Sequence, residues 1–166
     1  RLTAKRLVAR SHLELLGRPL GLDSFEIGVE TSGAPFVRLP GDTPPLSLSI
    51  SHSGEAAFCA VLWGGGFVGA DLEKVDPRSE AFVRDFLAPE EIACWEEAPP
   101  GSGDLVATAI WSAKEAALKA LRLGLTVDTR RVVCGRPGLD VSGSVWRPFE
   151  VRLDARAGGL VDLGGG

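Results

Sequence analysis

The order of hydrophobic patterns along this chain constrains its fold more than any other feature. Leu46, Leu48 and Ile50 alternate with polar residues as in a half-buried strand, and the apolar run 56–63 indicates a buried strand directly after it. A long helical pattern follows later, from a potential cap at Asp104 to about residue 123. Because helices and antiparallel-looking strands mix without a regular strand–helix–strand rhythm, we predict an α+β fold with an antiparallel sheet packed against the long helix.

Turn and capping signals place the remaining elements. Residues 1–17 are predicted to form a helix that ends at Gly17, with an apolar stripe of Leu2, Ala9, Leu13 and Leu16. Proline and acids at 89–91 indicate another helix start. Further short strands are predicted at 25–29, 35–39, 67–73, 131–134, 141–145, 149–153 and 160–163, followed by a mobile glycine tail at 164–166.

Composition excludes several classes of protein. The net charge of −4 gives no reason to expect a nucleic-acid partner, and no apolar run approaches the roughly 18 residues that a membrane span requires. Three well-separated cysteines, Cys59, Cys94 and Cys134, argue against both a disulfide framework and a zinc site. We interpret them as ordinary buried thiols and expect a cytoplasmic location.

Two acidic residues follow one another at alternate positions in the predicted strand 67–73. On a strand, Asp71 and Glu73 would point to the same face, where neighbouring carboxylates repel and raise each other's pKa. A hard divalent cation such as magnesium would remove that cost, since it prefers oxygen ligands. The alternative interpretation is a polar strand edge with two solvated acids.

A second polar group lies on the long helix. Trp111, Glu115 and Lys119 are four residues apart, so one helix face carries an aromatic ring, a carboxylate and an ammonium. The alternative is an ordinary exposed Glu–Lys pair, worth about 0.2–0.5 kcal/mol, beside a core tryptophan. Helix geometry alone does not separate these interpretations.

Three motifs taken together resemble the ordered signature of the Sfp-type 4'-phosphopantetheinyl transferases. They are Ser-Ile-Ser-His-Ser-Gly at 49–54, Gly-Ala-Asp-Leu-Glu at 69–73 and Trp-Ser-Ala-Lys-Glu-Ala at 111–116. The family's intervening helix is similar to the region of Phe82, Phe86 and the acids at 90–91. The resemblance is clear over 46–126, looser over 1–45 and slight after 126.

The resemblance implies roles for the acidic and basic residues. Asp71, Glu73 and Glu115 would hold magnesium, which grips the pyrophosphate of coenzyme A. The nucleophile would be a serine of an apo acyl or peptidyl carrier protein, and Glu115 would take its proton directly or through a water. Lys119, and less strongly Lys114, would contact the phosphates and stabilise the departing 3',5'-ADP.

Four further residues are candidates for coenzyme A contact by the same resemblance. Ser51 and His52 are similar to the family's phosphate-contacting pair, although a histidine at a strand end is also a common structural residue. Arg6 and Arg10 lie one turn apart on the first helix, like basic residues that the family directs at coenzyme A phosphates. A solvated basic face is the alternative for this pair.

The chain departs from the family pattern in two respects. Residues 33–35 read Gly-Ala-Pro where the family often has Gly-Lys-Pro, so a lysine near the nucleotide is lost. The family is usually a pseudo-dimer of α+β halves, and the N-terminal half is incomplete here. We therefore interpret 1–166 as one transferase domain, with 1–45 the remainder of the N-terminal half and 46–166 the metal- and coenzyme A-binding half.

Other interpretations stay open. Arg1 is not a natural start, because methionine is absent, so the chain is expected to be an integrated domain of a larger synthase or one completed by a symmetric partner. Monomer and symmetric oligomer are both compatible with the sequence. Competing functions are a non-catalytic half that docks carrier proteins, a magnesium-dependent phosphate-ester hydrolase and a plain structural domain. The sequence does not select among fatty-acid, polyketide and peptide-synthetase carriers.

Overall fold

The computed structural model describes residues 1–138 and 150–153, and over these residues the fold is α+β as predicted. The chain divides into two compact units. The first unit contains Arg1–Val75 and Glu115–Gly124, and the second contains Asp76–Lys114 with the described residues after Gly124. The described part contains four α-helices and three two-stranded antiparallel sheets, where a single sheet was expected. No helix of the described part is long and apolar enough to cross a membrane.

The first unit opens with the predicted N-terminal helix, α1 (Leu2–Leu16). Gly17 ends it in the left-handed conformation (φ 66°), and its N–H donates to the Leu13 carbonyl. A left-handed residue directly after a helix favours glycine, which has no Cβ to clash. The glycine stop predicted from the sequence is therefore confirmed.

The buried face of α1 differs from the predicted stripe. Ala4, Val8 and His12 are the buried residues, whereas Leu2 and Leu13 are about half exposed. The His12 ring tolerates burial because its Nδ1 lies 2.8 Å from the Arg18 carbonyl and its ring packs at a tilt against Trp63. A satisfied polar residue thus occupies the core face, and counting only apolar residues selected the wrong side of the helix.

Two hairpins supply the strands of the first unit. In the first hairpin, β1 (Glu26–Val29) pairs antiparallel with β2 (Pro35–Arg38). In the second, β3 (Leu46–Ser53) pairs with β4 (Ala56–Trp63), from Leu46 opposite Trp63 to Ser53 opposite Ala56. All four strands were predicted. They enclose a core with α1, whose buried members are Ala4, Val8, Phe25, Ile27 and Leu48.

The strand predicted at 67–73 is wrong, because this segment forms no backbone ladder. Two of the amides that a ladder would use, those of Ala70 and Leu72, instead donate to serine hydroxyls of β3. Hydroxyl oxygens have therefore taken the place of the backbone partners of a strand.

The second unit is mostly helical. Its helices are α2 (Glu80–Phe86), α3 (Pro89–Glu96) and the first part of α4 (Gly103–Ala120), and its strands are β5 (Val132–Cys134) and β6 (Val151–Leu153). The proline start of α3 and the strand at 131–134 are confirmed, and β6 falls within the predicted strand 149–153. The strands predicted at 141–145 and 160–163 and the tail 164–166 lie outside the described residues.

The ends of α4 differ from the prediction. The helix begins at Gly103, so Asp104 lies in its first turn and does not cap it. The Asp104 carboxylate instead accepts a hydrogen bond from the Arg78 backbone N–H at 2.9 Å. The helix ends at Ala120, short of residue 123, and Arg122 follows it with φ 57°.

The core of the second unit joins α2, α4 and β5. Its buried members are Val83, Leu87, Val106, Ala107, Ile110 and Cys134. Trp111 packs edge-on against Phe82 and Phe86 at centroid distances of 5.3 and 5.4 Å, as a core tryptophan does. All three cysteines of the chain are free thiols; Cys134 is buried and the other two are half-buried.

Candidate functional site

Alternate serines of β3 attach the segment 66–72 to this strand. Side chains two apart on a strand share a face, so the three hydroxyls form one row. The row gives hydrogen-bond partners to backbone groups of the segment and attaches it to β3 at three points. The bonds are Ser47 Oγ to the Gly66 carbonyl (2.7 Å), Ala70 N–H to Ser49 Oγ (2.9 Å) and Leu72 N–H to Ser51 Oγ (3.2 Å).

Gly69 allows the same segment to approach α4 closely. A Cβ added at this position would lie 1.8 Å from the carbonyl oxygen of Ala116. No side chain fits at that distance, so the glycine that precedes the acidic motif has a steric cause. This contact and the serine row together determine where Asp71 lies.

Asp71, Ser51 and Lys119 form a triangle of hydrogen bonds. Asp71 Oδ1 accepts from Ser51 Oγ at 2.8 Å and from Lys119 Nζ at 2.6 Å, and Lys119 Nζ lies 3.2 Å from Ser51 Oγ. The Asp71 side chain is only 4% exposed, whereas that of Lys119 is 31% exposed. Ser51 thus donates once and accepts from both Leu72 and Lys119, which uses its full capacity. Lys119 pairs here with Asp71, and not with Glu115 as an isolated helix would suggest.

Glu115 lies within electrostatic range of this triangle. Burial raises the pKa of its carboxyl, the charges of Asp71 and Glu73 raise it further, and Lys119 opposes them. One of its oxygens, Oε1, is buried and has no hydrogen-bond partner among the described residues. An ionised carboxylate is unfavourable in that position unless a cation joins it.

The donor chemistry of these residues suits a hard divalent cation. Three carboxylates that influence one another, one of them with an unsatisfied buried oxygen, are typical magnesium ligands. As the side chains stand, however, no group of three or more acidic, histidine or cysteine residues in the described part is close enough to hold an ion. Lys119 instead neutralises Asp71 directly.

The structure does not bring all predicted site residues together. His52 is exposed on β3, and the alternation of the strand places it on the opposite face from Ser51. Arg6 and Arg10 lie on the exposed side of α1, where Arg10 pairs with Glu14 at 2.8 Å. Among the contacts of the described residues, none joins these three side chains to the Asp71 triangle.

Lys114 corrects a prediction from the sequence. Its side chain is fully buried in the second unit and forms an ion pair with the equally buried Glu91 at 2.7 Å. Its ammonium also donates to the carbonyls of Thr129, at 2.8 Å, and Val132. All three donors are used inside the protein, so Lys114 is a structural residue and is not accessible to a phosphate.

A groove of about 210 Å³ runs beside β3 in the first unit. Lys119 lines it, and so does Arg122, a residue that the sequence analysis missed. The serine row was missed as well, although the Ser-x-Ser-x-Ser spacing in β3 is a visible signal. The other lining residues are Ser32, Gly33, Ala34, Pro35, Ser47, Leu48, Ser49, Ile50, Gly66, Phe67, Val68, Ala120 and Gly124.

Comparison with known proteins places the chain among related sequences. A sequence model described as the 4'-phosphopantetheinyl transferase superfamily matches residues 67–156. A 4'-phosphopantetheinyl transferase of Bacillus subtilis is 29% identical over 109 residues, covering 64% of this chain and 46% of that protein. The 4'-phosphopantetheinyl transferase HetI of a Nostoc species is 31% identical over 129 residues, covering 75% of this chain and 53% of that protein. The chain thus spans about half the length of these relatives.

Proposed function

Because this chain belongs to the 4'-phosphopantetheinyl transferase superfamily, we propose that it transfers the 4'-phosphopantetheine arm of coenzyme A to a serine of an apo carrier protein. The reaction would depend on magnesium and release 3',5'-ADP. Within the superfamily, the order of the three sequence motifs favours the Sfp type. The acceptor class is an acyl or peptidyl carrier protein.

The observation that carries this proposal is the Asp71–Ser51–Lys119 triangle beside Glu115. It combines buried acidic oxygens with an ammonium at the rim of a groove. An acidic pair on a solvated edge would leave Asp71 exposed, and its side chain is only 4% exposed. Metal ligands and phosphate-binding cations side by side are what pyrophosphate chemistry requires.

Each residue has a role in the proposed reaction. Asp71, Glu73 and Glu115 would hold the magnesium ion, with Ser51 orienting Asp71 through its 2.8 Å hydrogen bond. The ion, when bound, neutralises phosphate charge and makes the β-phosphorus more electrophilic. Lys119, half-buried at the groove, would bind phosphate oxygens and stabilise the charge that develops on the leaving 3',5'-ADP.

The bond changes balance as follows. The serine oxygen of the carrier protein forms a bond to the β-phosphorus of coenzyme A, and the bond from that phosphorus to the oxygen of 3',5'-ADP breaks. The serine proton passes to Glu115, directly or through a water. Burial raises the pKa of the Glu115 carboxyl, which makes its ionised form a better proton acceptor than an exposed glutamate.

A second candidate is a half that docks carrier proteins without catalysis. It is favoured by the direct ion pair of Lys119 with Asp71 at 2.6 Å, which occupies a carboxylate oxygen that would otherwise bind the metal. The two candidates differ in whether the chain modifies the carrier protein that it binds.

Intact-mass spectrometry of an apo acyl carrier protein tests the proposal. The carrier is incubated with this chain, coenzyme A and magnesium, with and without EDTA. We expect the carrier to gain one phosphopantetheine arm, and EDTA to abolish the gain. Complex formation with the carrier but no mass gain, from a folded chain, would support the docking half instead.

A further inference from the structure

The groove beside β3 is lined by two cationic side chains, and Arg122 is one of them. The described lining contains two cations, Lys119 and Arg122, and no carboxylate. This is unusual for a chain whose net charge is −4. A small cavity with cationic side chains and no acid in its lining favours an anionic ligand.

The backbone of Arg122 has a conformation that is energetically unfavourable for a residue with a side chain. Among the described residues it is the one non-glycine residue with positive φ, 57°. Left-handed backbone after a helix favours glycine, and a side chain there is disfavoured. Residues in such conformations persist only where the surrounding structure holds them, and they are concentrated at functional sites.

The Arg122 guanidinium has donors available for a ligand. Its Nη1 donates to both carboxylate oxygens of Glu30, at 3.1 and 3.2 Å. Glu30 precedes the turn whose residues 32–35 line the groove, so the pair holds the guanidinium at the groove's edge. The Arg122 side chain is 49% exposed, and its Nε and Nη2 remain able to donate without breaking the pair.

We propose that Arg122 binds a phosphate group of coenzyme A in this groove, as a second cation beside Lys119. The proposal rests on the proposed transferase function and names a residue that determines the affinity for its substrate. Glu30 is the positioning residue, since it holds the guanidinium without contacting the substrate. Arginine suits this task because its planar guanidinium can donate two parallel hydrogen bonds to phosphate oxygens.

The test is calorimetric titration of coenzyme A into wild-type chain and the Arg122→Gly variant, with thermal unfolding of both. We expect about tenfold weaker binding, typical of losing a hydrogen bond to a charged group. Stability should stay equal or rise, because glycine tolerates the left-handed backbone. Arg122→Lys should recover part of the affinity. Equal affinity for Arg122→Gly and wild type would overturn the proposal.

Two further variants distinguish a contact of Arg122 with the ligand from a purely structural role in the ion pair with Glu30. Arg38→Ala removes another exposed arginine of the same unit, which pairs with Glu26 at 2.8 Å and does not line the groove, and it should leave the affinity unchanged. Glu30→Gln keeps an acceptor for Arg122 and should lower the affinity less than Arg122→Gly does, because the guanidinium is still present. If Glu30→Gln lowers the affinity for coenzyme A and the thermal stability as much as Arg122→Gly, Arg122 has only a structural role and the proposal fails.

The same titrations distinguish this inference from the function on which it rests. Wild-type binding of coenzyme A with no effect of Arg122→Gly refutes the role of Arg122 and leaves the transferase proposal intact. A folded wild-type chain that does not bind coenzyme A refutes both.

Discussion

Replacing Lys114 with methionine should strongly destabilise the second unit. The substitution keeps most of the side-chain volume and removes the ammonium that pairs with Glu91 at 2.7 Å. Both side chains are fully buried, so the Glu91 charge would be left without its counter-ion in a site that water does not reach. Removing one partner of a buried ion pair costs about 3–5 kcal/mol, a large fraction of a typical stability of about 5–15 kcal/mol.

The remaining bonds of Glu91 explain why it cannot escape to solvent. Its Oε2 accepts from the Ala88 N–H at 2.6 Å, and its Oε1 accepts from the Cys134 N–H at 2.7 Å. Lys114→Met also strips a donor from the carbonyls of Thr129 and Val132. A double variant, Lys114→Met with Glu91→Gln, removes the unpaired charge and should cost less than the sum of the two single variants.

Urea denaturation followed by far-UV circular dichroism measures these free energies of unfolding. Arg84→Met is the matched control, because Arg84 forms an exposed pair with Glu80 at 2.6 Å in the same unit. Exposed pairs contribute less than about 1 kcal/mol. If Lys114→Met costs no more than Arg84→Met and weakens coenzyme A binding, the buried-pair argument is wrong and Lys114 contacts phosphate after all.

Three further variants or probes test the account. Glu115→Gln should abolish transfer yet raise the free energy of unfolding at pH 7, because burial raises the pKa of the folded-state carboxyl and its ionised form is unfavourable. That gain should shrink as pH falls through the raised pKa and vanish near pH 4, and an equal gain at pH 3 and pH 7 would refute the argument. Gly69→Ala should lower the free energy of unfolding by about 3 kcal/mol, since its Cβ would overlap the main chain of α4. In the same urea titration, Gly21→Ala should be nearly neutral, because a Cβ there would have no contact under 3.8 Å. Iodoacetamide at pH 8 should leave Cys134 unmodified in the native protein, because burial raises the pKa of its thiol to about 12. The half-buried Cys94 should react first. Early labelling of Cys134 in mass mapping would contradict this.

Local patterns were sufficient to predict most elements. The alternation in β3 and the apolar run in β4 each have one dominant period, and the structure pairs them over their whole length. Glycine and proline correctly predicted the end of α1 and the start of α3, because each residue type restricts or permits particular backbone angles at its own position.

The predictions that were wrong concern residues whose conformation or burial depends on a partner far away in the sequence. The alternation at 67–73 looks like a strand, but its amides pair with serine hydroxyls of β3. The sequence around Lys114 does not show that its side chain is buried, because this burial depends on the ion pair with Glu91 of α3. The left-handed backbone of Arg122 has no local signal, because arginine, unlike glycine, does not favour that conformation.

The central claim is that the carboxylate of Asp71 serves phosphopantetheine transfer. Intact-mass spectrometry of an apo carrier protein, after a fixed time with coenzyme A and magnesium, tests it with Asp71→Asn and with Asp42→Asn, which alters an exposed loop aspartate of the same unit. We predict the added arm with wild type and Asp42→Asn, and none with Asp71→Asn, although circular dichroism shows all three folded. Equal transfer by Asp71→Asn and wild type would contradict the account.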